Sequence, residues 1–68
     1  MFQFIVHTPR ESFDAKDRKA AVAAAKRRSK KEGEASVMRI DLERAGQPDA
    51  YETIAEFSYG KRTDRQTR

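Results

Sequence analysis

The side chains able to do chemistry are few, and one kind dominates. There is a single histidine, His7, and there is no cysteine. That removes a thiol nucleophile, a disulfide framework, a thiolate metal site and any two-histidine mechanism. His7 reads as a partly exposed strand residue. Glu52 and Glu56 are a carboxylate pair of the kind used in general acid–base work, but no nucleophile or metal-ligating set accompanies them. Gly33, Gly46 and Gly60 are scattered at element boundaries and build no phosphate loop. What remains is positive charge. Lys16, Lys19, Lys26, Arg27, Arg28, Lys30 and Lys31 fall within residues 16–31. Bases at that density meet polyanions: a phosphate backbone or an acidic protein surface. The expectation is a non-enzymatic protein with no catalytic residue, no metal and no cofactor.

The elements that must position those bases can be read from periodicity. Residues 2–8 alternate, with Phe2, Phe4 and Val6 on one face and Gln3, Ile5 and His7 on the other. Pro9 ends that strand. A helix is predicted from Phe13 to Glu32, capped by Ser12 or Asp14, with Asp17 in its first turn and Gly33 as its C-terminal stop. The AAVAAA run has high helix propensity. Residues 36–43 form a second strand, with Met38, Ile40 and Leu42 on the core face. AGQPD is a turn. Residues 51–59 form a third strand, with Tyr51, Ala55, Phe57 and Tyr59 facing the helix. The predicted class is α+β: one β-α-β-β domain over residues 1–60, one helix on one face of a three-stranded sheet. The third strand sits at an edge, or between the other two in an antiparallel order 1-3-2, which is the preferred arrangement. Residues 61–68 read as a basic, disordered tail.

At 100° per residue the helix divides sharply. Ala15, Ala21, Val22, Ala25 and Ser29 share one face and suit close packing on a sheet. Lys16, Lys19, Lys26, Arg27 and Lys30 share the opposite face, with Arg28 and Lys31 at its margin. Residues 16–31 carry eight bases and one acid, net +7, while residues 32–56 carry two bases and seven acids, net −5. The basic face is the expected partner surface. Ile5, Val37 and Ile54, on the sheet face away from the helix, are the expected second surface, for a dimer or partner. Tyr51, Phe57 and Tyr59 resemble the stacking aromatics of single-stranded RNA readers, but alternation assigns them to the core.

The chain has 68 residues, 38% charged and 37% hydrophobic, enough for one small domain. No stretch approaches a membrane span of about 20 apolar residues, and Phe2 to Val6 is too short for a signal-peptide core. In its shortness, its lack of cysteine, enzyme motif and targeting signal, and its density of Ala, Arg and Lys, the chain resembles the anti-CRISPR proteins, small phage-encoded inhibitors of bacterial CRISPR effectors. The likeness lies in overall make-up and assigns no role to any residue. It implies a cytoplasmic inhibitor in a bacterial host that blocks a larger protein or ribonucleoprotein, a CRISPR effector. Inhibitors of that kind that imitate DNA are acidic, whereas this chain is net +4, so a blocking basic surface fits better than mimicry. Two other functions are carried beside it: a small DNA- or RNA-binding module using the basic helix and tail, and a dimeric structural or regulatory subunit paired through the outer sheet face. The expected state is a monomer or weak homodimer.

Overall fold

The computed structural model describes residues 1–63. Strand β1 (Phe2–His7) runs into a tight turn held by Thr8. The Thr8 hydroxyl donates to the Glu11 carbonyl (3.0 Å) and accepts from the Arg10 and Glu11 N–H groups (3.2 and 3.1 Å). The chain then reverses into β2 (Ser12–Ala15), antiparallel to β1. Helix α1 (Arg18–Glu32) follows, then β3 (Glu34–Asp41), two single 3-10 turns (Leu42–Arg44 and Pro48–Ala50), β4 (Tyr51–Ser58) and the two-residue β5 (Lys61–Arg62). The sheet order is β2-β1-β3-β4-β5, and every pairing is antiparallel.

The α+β class and the single helix stand, and several finer expectations need correction. The sheet has five strands rather than three. The order is also not 1-3-2: β3 lies directly between β1 and β4. The cause is β2. Because residues 12–15 reverse the chain before the helix, the crossover runs from β2 to β3 with β1 enclosed between them, so β1 and β3 pair antiparallel. The helix starts later than predicted, at Arg18. Asp17 is its N-cap, in extended conformation, and its carboxylate accepts from the Ala20 N–H at 2.8 Å. Gly33, at φ 96°, closes the other end by donating to the Ser29 carbonyl at 2.8 Å. Of the stretch read as a tail, Lys61 and Arg62 pair with β4; residues 64–68 lie outside the described residues.

Alanine lines the seam between helix and sheet. Ala21, Ala24 and Ala25 of α1 meet Val6, Ala35, Val37, Ala55 and Phe57, with Phe4, Phe13, Ala15, Val22 and Ile54 packed around them. Small side chains on both layers let the helix lie close to the strands. The predicted core face of β3 is therefore inverted: Ala35 and Val37 point inward, and Met38 and Ile40 are only half-buried. Leu42, also expected in the core, is in a 3-10 turn and 43% exposed. A bulge explains much of the rest. Val37 pairs with Ala55 but Met38 pairs with Thr53, so Ile54 is the extra residue. An inserted residue reverses the side of everything beyond it. Ala55 and Phe57 stay in the core, while Tyr51 pairs with Ile40 and is 47% exposed.

Candidate polyanion-binding surface

Helix α1 presents its bases in the arrangement its periodicity predicts. Lys19, Lys26, Arg27, Lys30 and Lys31 are all exposed, with Ala23 among them. A rise of about 1.5 Å per residue spreads Lys19 to Lys30 over about 16 Å. None of the five is in an ion pair among the described residues. Lys16 is also exposed, but it precedes the Asp17 cap and belongs to the bend before the helix.

Arg28 is set apart from this row. Its Nε donates to Glu32 Oε2 at 2.7 Å and its Nη2 to Glu11 Oε2 at 2.6 Å, and its guanidinium stands 5.2 Å from the centre of the Phe13 ring. The hydrogen bond to Glu11 and then that to Glu32 raise its pKa further, so it stays charged. Arg28 therefore clamps the β1–β2 turn to the end of the helix. It is a structural residue and not, as its sequence position suggested, support for the basic face. Its partner Glu32 has a side chain only 9% exposed. Burial pushes the Glu32 carboxyl up, but the Thr8 hydroxyl, the Arg28 guanidinium and the Arg10 backbone N–H outweigh it and hold the pKa below the ordinary range.

Three of the acids elsewhere are paired away from the helix. Arg39 pairs with Glu52, Arg44 pairs with Asp49, and the N-terminal ammonium pairs with Glu43 at 3.3 Å. Arg39 also stands 4.7 Å from the centre of the Phe2 ring. The Glu52–Glu56 pair is thus split: Glu52 answers Arg39, and Glu56 lies opposite Ser36 on β3. His7 accepts or donates a 2.7 Å hydrogen bond through Nδ1 to the Ser12 hydroxyl, according to its tautomer. Among the described residues no group of three or more His, Asp or Glu side chains could hold a metal ion. No helix there is long and apolar enough to cross a membrane.

The second expected surface changes composition. Val37 is fully buried and Ile54, swung by the bulge, packs against the core, so neither belongs to the outer sheet face. Ile5 does remain there. Its cross-strand neighbour is Met38, and the next pair along is Ile40 with Tyr51. The apolar content of that face was hidden in the sequence because Val37 and Met38 are adjacent apolar residues, and alternation alone does not say which points inward.

Tyr59, which alternation assigns to the core, lies outside it. It is 76% exposed and sits at φ 50° in the turn between β4 and β5. Its N–H donates to the Gly33 carbonyl at 3.0 Å, and the next residue, Gly60, donates its N–H to the buried Ser29 hydroxyl at 2.8 Å. The turn is fastened to the C-terminal end of the basic helix. The signal for the turn was Gly60 alone, at the end of an alternating strand.

No family model, no curated protein and no solved structure matches the chain.

Proposed function

We propose that this is a non-enzymatic binding protein whose exposed face of α1 docks on a polyanionic surface of a larger protein or ribonucleoprotein and obstructs it. Steric inhibition of the anti-CRISPR type, in a bacterial cytoplasm, is the form of action this reading favours. One observation carries it. Lys19, Lys26, Arg27, Lys30 and Lys31, exposed on α1, have no ion-pair partner among the described residues, although the chain has enough acids to supply them.

The placement of the bases also works against the helix that bears them. Arg18 and Lys19 stand in the first turn, which holds no acid, at the positive end of the helix dipole. Lys26 and Lys30, and Arg27 and Lys31, are like charges four residues apart, a spacing that disfavours the helix by a few tenths of a kcal/mol per pair. Lys30 and Lys31 in the last turn suit the dipole, but Lys19 does not. A face kept only for solubility has no need of that arrangement. Binding to an anion removes the repulsion and supplies the missing partners.

The test compares the wild-type protein with the double variant Lys19→Glu/Lys26→Glu. Each is immobilised and exposed to bacterial lysate, with and without nuclease treatment. The proposal expects a defined set of macromolecules retained by wild type, released by moderate salt and absent from the variant. Equal retention by both proteins overturns it and moves attention to the outer sheet face.

A further inference from the structure

Tyr59 is a bulky residue in the left-handed region of backbone space, at φ 50°, followed by Gly60 at φ 86°. With positive φ at both central positions this two-residue turn is of type I′, where Asn or Asp normally precedes the glycine because their short side chains tolerate it. A tyrosine there is strained. At 76% exposure it recovers little of that strain through burial. Neither turn chemistry nor core packing accounts for the ring.

Its surroundings are specific. The backbone on both sides is fixed to α1 through the Gly33 carbonyl and the Ser29 hydroxyl. The ring rests against Gly33, close enough that a Cβ on that glycine would lie 3.6 Å from the phenol Cζ. The aliphatic stem of Lys30 crosses Gly60, where a Cβ would come within 2.7 Å of Lys30 Cγ. The exposed ring thus stands at the C-terminal cap of the helix that carries the bases, with the Lys30 stem against the adjacent Gly60 and exposed Lys61 directly after that glycine.

We infer that Tyr59 is a stacking platform for an unpaired base, and that the polyanion met by α1 is single-stranded nucleic acid. This rests on the reading of the basic face given above. Each nucleotide of a single strand supplies both of the chemistries displayed here: an anionic phosphate for the lysines and a planar face for the ring. A duplex keeps its base faces within the stack, and a carboxylate patch supplies only the anion. The strand's backbone would follow Lys19, Lys26 and Lys30 along the helix, and one base would lie on the free side of Tyr59. Attachment of the turn to α1 keeps the turn and the helix backbone in fixed register, so the ordering left to do on binding falls on the lysine side chains and the strand.

The experiment is fluorescence anisotropy with labelled oligo-dT and oligo-rU of about a dozen nucleotides, with a mixed-sequence duplex of equal length for comparison. Wild type should bind the single strands more tightly than the duplex. Tyr59→Leu should weaken strand binding about tenfold, and Tyr59→Phe should leave it unchanged. Tyr59→Gly should weaken it equally, although glycine relieves the backbone and the variant should melt no lower than wild type. That opposition separates a lost platform from a lost fold. Strand binding that survives Tyr59→Leu and Tyr59→Gly but fails in Lys19→Glu/Lys26→Glu overturns the platform and leaves the basic face intact. No strand binding even at low salt, or equal affinity for the duplex, overturns the inference, and the lysate comparison then judges the basic face by itself.

Discussion

At Ser29 a fully buried hydroxyl donates to the Lys26 carbonyl at 2.9 Å and accepts the Gly60 N–H at 2.8 Å. Ser29→Ala would leave that N–H buried without a partner, a loss of about 1–3 kcal/mol. In a domain of this size a thermal melt should fall by at least about 5 °C, and the Gly60 amide should lose protection from hydrogen exchange. Glu32 sets the behaviour in acid. Its carboxyl is held below the ordinary value of 4.5, so its contribution is complete above that value and disappears as the pH drops through the lower, folded one. Urea unfolding of wild type should therefore weaken between neutral and strongly acidic pH, and Glu32→Gln should show a shallower dependence. An equal slope in the variant would remove Glu32 from the acid response. Several of these roles escape a reading of the sequence for a common reason. Ser29 was legible as a small residue on the packed face, but its bond to Gly60 spans 31 residues. Arg28 was counted with the basic face because Glu11, which neutralises it, lies 17 positions away. Lys19, Lys26, Arg27 and Lys30 were legible because helical geometry alone fixes their direction.

Helix α1 was visible in outline because alanine-rich sequence and Gly33 both act locally. Its start was not, since residues 12–15 alternate polar and apolar for too short a distance to outweigh the helical pattern that follows. Asp17, placed in the first turn by the sequence, instead holds the cap. The missed β2 then carried the strand order with it, because it alone decides whether β1 meets β3 parallel or antiparallel. The bulge at Ile54 had a similar effect on side-chain direction: Phe57 and Ala55 were placed correctly, and Tyr51 beyond the bulge was not. The helix also yields a prediction at its own scale. Lys19→Glu puts an acid where the dipole favours one, so the variant should gain about 0.3–1 kcal/mol in chemical denaturation. The same change should weaken binding to any polyanion. A variant that loses both stability and binding would mean that Lys19 makes a structural contact instead.

Charge is distributed over the whole molecule as a dipole, with the basic helix on one side and the β3–β4 hairpin bearing Glu34, Asp41, Glu43, Asp49, Glu52 and Glu56. Such a distribution orients an approaching polyanion before contact and repels it from the hairpin end. If five bases meet phosphates of a single strand, log K should fall with log salt at a slope of about −3.5. Reversing Lys26 should make the slope measurably shallower, and a slope near zero would exclude the phosphate contacts. The molecule measures 33 × 28 × 19 Å, and the short dimension accommodates one layer of helix and one of sheet. It is consequently a Janus slab: cations coat one broad side, and Ile5, Met38 and Ile40 give the other a greasy streak. A phenyl resin should seize it by the streak and leave the lysines open to amine-reactive dyes. A sulfonate resin should turn it over and shield those amines from labelling.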